Sequence, residues 1–389
     1  MASLVIAEDI SYIFFGIFIA VFFIQIIYYL AFYLRPLRKI SSERNKDVDE
    51  NNTNEGVSVI IYANNDSESL WKNLDSYLNQ EYPLFEVIVV NDGSTDETEE
   101  VLGTFENQFD NLYHTFVAEG ARNLSRKKLS LTLGIKAAKY DIVLFTNANC
   151  KPDSPRWIET MASNFTKETD IVVGYTQLDC KKGFINRYIS FDWLLRALRI
   201  FGYSLAVTPF EGEGSNMAYR KKIFFDNKGF SKYMQLHIGE DDLFVNSLAN
   251  KKNTKIELSD DSFVTSYFDS TKSGWLQTKR NRAFTEKFYK NMFSYIMGFE
   301  SLTRYLFLAM FVLLIVVSYS DLILMSVIGG VFIFNFIFKS VFWYFAGKSF
   351  NTKKHILCFT FFELIDPIIN FVFKIEAKIN SKRYYTWKL

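Results

Sequence analysis

An uncharged, apolar segment at residues 10–34 limits the fold of this chain more than any other feature of its sequence. As an α-helix it would extend about 37 Å, at 1.5 Å per residue, which is enough to cross a bilayer with some tilt. A secretory signal peptide is the alternative, but the segment is too long for one and no lysine or arginine precedes it. The sequence therefore predicts an N-terminal transmembrane anchor over residues 1–42.

The charges on either side of this segment predict its orientation. Glu8 and Asp9 precede it, and five basic residues follow it, namely Arg35, Arg38, Lys39, Arg44 and Lys46. Because Lys and Arg concentrate on the cytoplasmic side of membrane proteins, we expect the N-terminus outside and the chain that follows in the cytoplasm. The protein is accordingly expected in the inner (cytoplasmic) membrane.

Two shorter apolar runs lie near the other end of the sequence, at residues 305–320 and 322–338, with Asp321 between them. Each run is short for a membrane span, but together they suit a helical hairpin over residues 305–338 with Asp321 at its outer tip. The hairpin would begin a C-terminal membrane region over residues 291–389.

The rest of that region mixes apolar and charged residues. Residues 356–373 are apolar but contain Glu363, Asp366 and Pro367, and a basic tail follows. A fourth span would place that basic tail outside, against the positive-inside rule, so we expect an interfacial or re-entrant segment. The aromatic residues of 384–388 suit an anchor at the level of the lipid headgroups.

The central part of the chain shows a different pattern. Residues 43–56 are polar and indicate a linker, and residues 57–290 alternate apolar strand patterns with amphipathic helix patterns. The predicted strands are 57–61, 87–90, 112–117, 141–145 and 171–175. This alternation predicts an α/β domain with a mostly parallel sheet and helices on both faces. Residues 184–207 fit either a helix lying on the membrane surface or an ordinary amphipathic helix.

Composition excludes some functions. The net charge is only +1, so the chain has no general attraction to nucleic acid. Its three cysteines, Cys150, Cys180 and Cys358, are scattered without metal-ligand spacing, which indicates a reduced compartment and no disulfide framework.

Polar residues follow the first two predicted strands. Asn65 and Asp66 come after the first strand, and Asp92 comes after the second, before a glycine that permits a sharp turn. Ligands of parallel sheets bind beyond the carboxyl ends of the strands, so these side chains are expected at one rim. The alternative is an ordinary turn whose Ser94 or Asp96 caps the next helix.

The order of several motifs resembles the membrane-anchored family 2 glycosyltransferases from about residue 57 to about residue 290. The motifs are the strand at 57–61, the run Asn91-Asp92-Gly93-Ser94-Thr95-Asp96, the pair Asn147/Asn149, the glycine-rich loop at 212–216, and Gly239-Glu240-Asp241-Asp242. The resemblance implies a GT-A fold, a nucleotide-sugar donor, inversion at the anomeric carbon, and membrane segments flanking the catalytic domain.

On the donor side, the resemblance implies that Asn65, Asp66 and Asp92 hold the nucleobase and ribose. An aspartate that accepts from a base N–H suits uracil or guanine, and hence a UDP- or GDP-sugar. Lys127 and Lys128 match a basic step near the nucleotide, although a solvated helix start explains them equally well. Gln277 and Arg280 fit the spacing of a donor-binding motif, with Asn281 standing where the family has Trp or His.

The metal and diphosphate position of the family corresponds to Asn147 and Asn149, which carry amides where the family has two carboxylates. A divalent cation, Mg²⁺ or Mn²⁺, is implied, and amide oxygens bring no charge to compensate it. We therefore expect the cation to bind only together with the donor, with replacement by Lys127, Lys128, Arg280 and Arg282 as the alternative.

On the acceptor side, the resemblance implies that Asp241 is the general base and that Glu240 orients Asp241 or the acceptor. Gly214, Asn216 and Asp242 would contact the acceptor. Repulsion among the clustered carboxylates is expected to raise at least one of their pKa values. The alternative is a helix N-terminus enriched in acidic residues.

The sequence thus predicts a membrane-bound inverting glycosyltransferase that acts on a lipid-linked or membrane-proximal glycan, as in cell-envelope polysaccharide synthesis. Membrane lipids are its other expected contacts. Two alternatives remain: a non-catalytic relative that serves as a binding or scaffold subunit, and a processive polysaccharide synthase.

Overall fold

The computed structural model describes residues 2–44, 55–117, 125–268, 271–352 and 357–386. The predicted linker therefore lies largely outside the described residues. The strands are β1 (Val57–Ala63), β2 (Phe85–Asn91), β3 (Leu112–Phe116), β4 (Ile142–Asn147), β5 (Cys150–Pro152), β6 (Ile171–Val173), β7 (Thr176–Leu178), β8 (Met217–Arg220), β9 (Thr254–Ile256) and β10 (Val264–Ser266).

The α-helices lie between and around these strands. They are α1 (Ala2–Tyr28), α2 (Leu34–Arg44), α3 (Ser67–Leu78), α4 (Thr98–Glu106), α5 (Arg126–Ala137), α6 (Trp157–Ala162), α7 (Phe184–Ala206), α8 (Lys221–Asp226), α9 (Asp242–Leu248), α10 (Thr271–Thr285), α11 (Asn291–Val317), α12 (Leu322–Ser349) and α13 (Leu357–Ile379). A π-helical stretch, Tyr29–Tyr33, joins α1 to α2.

The main sheet has the strand order β3-β2-β1-β4-β8-β6-β9. Its β1–β2, β1–β4, β2–β3 and β6–β9 pairs are parallel, and β8 runs antiparallel to β4 and β6. The predicted α/β class with a mostly parallel sheet is confirmed. Strand β8 was not predicted, because a strand of four residues after a glycine-rich loop leaves too short a pattern.

Both faces of the sheet are covered by helices. On β1, Val59 and Ile61 pack on the side of α3, whereas Ile60 packs on the side of α5. All three are fully buried, and each such side chain contributes about 1.5–3 kcal/mol on leaving water. Gly134 lets α5 approach the sheet, since a Cβ there would lie 2.8 Å from a methyl carbon of Ile60.

Within the described part of the chain, three helical segments are long and apolar enough to cross a membrane: Ser11–Arg44, Met292–Val317 and Leu322–Ser349. They include the predicted anchor and hairpin, although the hairpin helices extend beyond residues 305–338. Asp321 lies in the turn between α11 and α12, where its Oδ1 accepts from the N–H groups of Ile323 and Leu324 at 3.0 Å each. It therefore caps α12, which is a physical reason for a carboxylate at that turn.

Helix α7 was predicted to lie on the membrane surface or to be an ordinary amphipathic helix, and it differs from both. Buried residues occupy most of its length, and only its first turn exposes large apolar side chains, those of Phe184 and Ile185. It packs against α2, the π-helical stretch, α10 and α13. Helix α7 thus joins the sheet domain to the apolar helices.

Helix α13 has one apolar exposed face and one buried face. Its exposed apolar residues recur with helical spacing, and they are Phe361, Ile365, Ile368, Phe371, Val372, Ile375 and Ile379. Glu363 and Asp366 are fully buried on the opposite face. This pattern suits a helix lying in the membrane interface, which stays a prediction.

A buried ionic network joins α7, α11, α12 and α13. Glu300 pairs with Arg304 and accepts from Tyr33 and Tyr203, and Arg199 lies 3.3 Å from it. Glu363 accepts from Arg304 at 2.9 Å and from Lys339 at 3.2 Å. Because buried charges are costly unless paired, this network favours one arrangement of the four helices.

The residues after α13 fold back onto the sheet domain. The His237 N–H donates to the Tyr384 carbonyl, and the Thr386 N–H donates to the Gln235 carbonyl, each at 2.9 Å. The Tyr384 ring stacks on Phe284, with centroids 4.1 Å apart. The predicted headgroup anchor at residues 384–388 is therefore wrong for 384–386, and residues 387–389 lie outside the described residues.

These contacts place residues 381–386 on the same side of the membrane as the sheet domain. We predict that a cysteine at position 389 is shielded from an impermeant thiol reagent in intact cells and labelled after permeabilisation. The experiment needs a Cys358→Ser background, because Cys358 is the only partly exposed native cysteine among the described residues. Labelling in intact cells would contradict the expected cytoplasmic location.

Candidate functional site

A cleft of about 790 Å³ opens at the carboxyl ends of β1 and β4. The loops before β8 and α9 and one face of α10 complete its walls. The polar and charged side chains that line it include Tyr62, Asn64, Asp66, Lys127, Asn147, Asn149, Glu213, His237, Glu240, Asp241, Asp242, Gln277, Asn281, Arg282 and Arg383. Among the predicted site residues, Asn65, Asp92, Lys128, Asn216 and Arg280 do not line it.

Asp92 lies behind the cleft wall, at 2% exposure. Its carboxylate accepts from Tyr62 Oη at 2.8 Å and from Arg126 Nε at 2.9 Å. Burial and the negative charge of Asp92 raise the pKa of Tyr62, so this phenol stays protonated. A nucleobase would reach Asp92 only beside Tyr62 and Arg126, two residues that the sequence motif did not single out.

The loop after β1 is fixed by hydrogen bonds to the loop after β2. Asn65 adopts a left-handed conformation, with φ of 54°, and its Oδ1 accepts from the Thr95 N–H at 2.8 Å. Asp96 accepts from the first N–H of α3 and from Thr98 N–H at 3.2 Å, so the expected helix-capping role of Asp96 is present. Asp66 is the member of the predicted pair that faces the cleft.

Asn147 and Asn149 flank the turn between β4 and β5, and both line the cleft. The Asn149 amide nitrogen donates to the Tyr267 carbonyl at 2.9 Å, and its Oδ1 accepts from Cys150 Sγ at 3.7 Å, a weak bond that leaves room for a ligand. No group of three or more His, Cys, Asp or Glu within the described part of the chain could hold a metal ion. These residues therefore fit a divalent cation only in company with an anionic ligand that supplies further oxygens and charge.

Asp241 is held by four donors. Its oxygens accept from the Gly214 N–H at 3.0 Å, from the Asp242 N–H at 2.7 Å, and from both terminal nitrogens of Arg282 at 2.7 and 3.3 Å. Gly214, predicted to contact the acceptor, thus positions the carboxylate.

The charges around this loop separate the pKa values of the two aspartates. Burial alone would raise the pKa of Asp241, but Arg282 and Lys127 outweigh it and hold the pKa well below its usual range. Burial, reinforced by the charge of Asp241, raises the pKa of Asp242. One carboxyl pKa is therefore raised, as predicted, but it is not that of the predicted base.

Glu240 lies at the cleft wall with one oxygen occupied. Its Oε1 pairs with Lys127 Nζ at 2.7 Å, and its Oε2 has no hydrogen-bond partner among the described residues. Burial opposes the charge of Lys127, but Glu240 and Asp241 outweigh it and raise the pKa of this lysine. Lys127 is therefore a cleft residue, and Glu240 keeps one buried carboxylate oxygen without a partner among the described residues.

Lys128 is not placed to bind a nucleotide. It is fully buried, and its Nζ donates to the carbonyl groups of Tyr233, Leu236 and Ile238 at 2.6, 2.9 and 2.7 Å. Burial lowers the pKa of Lys128 to about 8. Both sequence interpretations, a nucleotide contact and a solvated helix start, are corrected: Lys128 holds the loop that leads into Glu240 and Asp241.

Two predicted acceptor residues are also structural. Asn216 is fully buried, donating to the Tyr175 and Ser262 carbonyls and accepting from Trp157 Nε1 at 3.1 Å. Asp242 borders the cleft but is 1% exposed, and it accepts from Thr285 and Tyr289 Oη. Neither side chain has an open position for an acceptor in this structure.

The cleft-facing side of α10 carries Gly274, Gln277, Thr278, Asn281 and Arg282, which recur with helical spacing. Arg280 lies on the other side, where its Nε pairs with Glu376 of α13 at 2.8 Å. The prediction of a donor contact from Arg280 is therefore corrected, and Gln277 stays in the cleft. Arg282 fills the cationic role next to Asp241.

Comparisons with known proteins agree with this geometry. The family model described as Glycosyl transferase family 2 matches residues 58–226. The poly-beta-1,6-N-acetyl-D-glucosamine synthase of Staphylococcus epidermidis is 31% identical over 138 residues, which are 35% of this chain and 31% of that protein. The hyaluronan synthase of Pasteurella multocida is 29% identical over 125 residues, 30% of this chain and 12% of that protein. The chain therefore spans less than a third of either relative.

A solved structure extends the likeness to the whole fold. The mannosyltransferase PcManGT from Pyrobaculum calidifontis, in complex with GDP-Man and Mn²⁺, matches 93% of this chain and 99% of its own chain with a TM-score of 0.53 and 14% identity. At that identity the likeness shows the fold alone, which is the GT-A fold with flanking helices. Residues 58–226 of this chain thus match the family 2 glycosyltransferase model, within a GT-A-like fold whose flanking helices are apolar enough to span a membrane.

Proposed function

We propose that the protein is an inverting glycosyltransferase of the cytoplasmic membrane, with its catalytic domain in the cytoplasm. It transfers a sugar from a UDP- or GDP-sugar to a lipid-linked or membrane-proximal glycan. The observation that carries this proposal is the arrangement of Asp241 and Glu240. The ionised carboxylate of Asp241 is held by backbone N–H groups in the cleft, and the preceding residue, Glu240, has a buried carboxylate oxygen with no partner among the described residues.

The reaction needs a base because a sugar hydroxyl is a poor nucleophile. The acceptor hydroxyl donates its one proton to Asp241 as its oxygen bonds to the anomeric carbon of the donor, and Glu240 orients the acceptor. The bond from that carbon to the phosphate oxygen breaks at the same time, and the nucleoside diphosphate leaves with the electron pair. A single displacement of this kind inverts the anomeric configuration.

The leaving diphosphate requires positive charge. We propose that Asn147 and Asn149 place two neutral amide oxygens toward a divalent cation that arrives with the donor. When bound, that cation neutralises the diphosphate. Lys127 and Arg282 are already paired with Glu240 and Asp241, so these carboxylates neutralise much of their charge before a donor binds.

Binding of nucleotide sugars tests the donor class. The full chain in detergent is incubated with UDP-glucose, UDP-N-acetylglucosamine, GDP-mannose and ATP, each with and without Mn²⁺ or Mg²⁺. We expect one nucleotide sugar to raise the melting temperature, by the stabilisation that any ligand of the folded state provides. The absence of a shift with every nucleotide sugar and either metal would contradict the proposal.

Metal dependence gives a separate prediction. Because the amides bring no charge, we expect no detectable Mn²⁺ binding by the protein alone, and binding once a nucleoside diphosphate is present. Sugar transfer should fall steeply in excess EDTA and return with Mn²⁺. Undiminished turnover in EDTA would show that basic side chains replace the cation.

A processive polysaccharide synthase is the second candidate, because two of the similar proteins are polysaccharide synthases. Product length decides between the two. We expect addition of a single residue, because three candidate spans leave few helices within the described residues to form a channel for a growing chain. Long polymers made by the purified protein would favour the synthase.

A further inference from the structure

The segment that follows α13 contributes a wall of the cleft. Residues 381–384 form a short 3₁₀ turn, and Arg383 and Tyr384 line the cleft beside His237 and Glu240. This segment lies outside residues 58–226, the part of the chain that the family model matches.

Four contacts anchor the segment. Its backbone pairs with residues 235–237 through the His237 and Thr386 N–H groups, and Leu236 and Tyr385 form an antiparallel bridge. The Tyr384 ring stacks on Phe284 of α10, and Lys287 lies 5.7 Å from the Tyr385 ring centroid. The segment is therefore fixed to α10 and to the loop that carries the catalytic motif.

The charges of the cleft are unbalanced. Its lining includes five carboxylates, Asp66, Glu213, Glu240, Asp241 and Asp242, and three cations, Lys127, Arg282 and Arg383. Lys127 pairs with Glu240, and Arg282 pairs with Asp241 and Asp242. Arg383 is exposed and makes no ion pair with any carboxylate among the described residues. Among the described residues that line the cleft, Arg383 is thus the Lys or Arg side chain whose charge no ion pair neutralises.

We propose that Arg383 binds a phosphate group of the ligand in the cleft, either the diphosphate of the nucleotide-sugar donor or the phosphate of a lipid-linked acceptor. The inference rests on the proposed function for the identity of these ligands. Its physical basis is that a phosphate anion entering a cleft with more carboxylates than cations needs a cation that is not already paired. An arginine fork suits phosphate oxygens in particular.

Direct binding measurements separate the two phosphate sources. The full chain in detergent is titrated with UDP and GDP in one arm, and with a short-chain polyprenyl phosphate in the other. Arg383→Gln is expected to weaken one of these ligands by about 10-fold or more, as for the loss of one charge-assisted hydrogen bond. The arm that weakens identifies the source.

Lys382 provides the matched control. It is the adjacent basic residue, it is exposed, and it does not line the cleft. Lys382→Gln removes the same charge from the segment, so it is expected to leave both affinities within about 2-fold of wild type. An equal effect of both substitutions would show general electrostatic attraction and overturn the assignment to Arg383.

A second variant guards against an indirect effect on folding. Arg383→Lys keeps the charge but not the fork and is expected to recover part of the affinity that Arg383→Gln loses, while the melting temperatures of both variants stay at the wild-type value. Wild-type affinity of Arg383→Gln for both ligand classes would overturn the proposal. Because these arms measure binding without turnover, they are independent of whether wild-type protein transfers any sugar, which is the result that would contradict the proposed function.

Discussion

Replacing Asp241 with asparagine is expected to lower the rate of sugar transfer by about 10²- to 10⁴-fold, the usual contribution of a general base. Asparagine keeps the shape of the side chain and can still accept from the Gly214 N–H, which lies 3.0 Å from the carboxylate. It cannot take the proton of the acceptor hydroxyl. The measurement is kcat with saturating donor, together with donor affinity, which should change little.

The pKa of Asp241 adds a dependence on pH. Arg282 and Lys127 hold this pKa below its usual range, so Asp241 stays ionised throughout the neutral and mildly acidic range. Protonation of the base should therefore not limit turnover as the pH falls toward the ordinary pKa of a carboxyl group, near 4. A variant Asp241→Asn that transfers sugar at the wild-type rate would remove Asp241 from the role of base.

Replacing Glu363 with alanine is expected to destabilise the protein by about 3–5 kcal/mol, the usual cost of leaving buried partners without their counter-charge. Glu363 is fully buried, and it accepts from Tyr29 Oη at 2.8 Å, from Arg304 and from Lys339. Its loss leaves the buried Lys339 without its counter-charge and leaves Arg304 with Glu300 alone. Unfolding of the full chain in detergent, followed by its melting temperature, measures the effect.

Two further variants test whether the destabilisation by Glu363→Ala comes from leaving buried charges without a partner. Lys374 and Glu286 form an ion pair at 2.8 Å that is half exposed on the lysine side, so Lys374→Ala should cost at most about 1 kcal/mol. A double variant in which Glu363 and Arg304 both become leucine should lose less stability than Glu363→Ala alone. The double variant removes one buried negative charge and one buried positive charge together. Equal destabilisation by Glu363→Ala and Lys374→Ala would contradict the structural role of the network.

The strands were predictable because their patterns are local. Val59, Ile60 and Ile61 form an unbroken apolar run, as expected for a strand buried on both faces, and residues after such strands had to meet at one rim. Asp66, Lys127, Asn147, Asn149, Glu240 and Asp241 do meet there. Their roles in binding and catalysis stay predictions.

The incorrect site predictions concern residues whose spacing in the sequence does not determine which way their side chains point. Gln277 and Arg280 are three residues apart, yet α10 turns the first toward the cleft and the second toward Glu376. Lys127 and Lys128 are adjacent, and successive helix residues point about 100° apart, so one reaches Glu240 and the other reaches the carbonyl groups of residues 233–238. Only the three-dimensional packing of the helix decides such cases.

Contacts between distant parts of the chain were beyond sequence reasoning. The pairing of Tyr384 with His237 joins residues 147 positions apart, and both ends are short, irregular segments. Tyr384 and Tyr385 have the aromatic character of a membrane anchor, but their rings pack on Phe284. The composition of this segment indicates that its side chains favour burial, but it does not indicate which surface buries them.

The most direct test of the account is transfer of labelled sugar by the purified full chain. Labelled UDP- and GDP-sugars are supplied one at a time, with Mn²⁺, to wild-type protein and to Asp241→Asn in the presence of a membrane lipid extract. The account predicts that one donor labels lipid-extractable material with inverted anomeric configuration, and that Asp241→Asn forms at most about one hundredth as much in the same time. Folded wild-type protein that transfers no sugar from any donor, or a product with retained configuration, would contradict it.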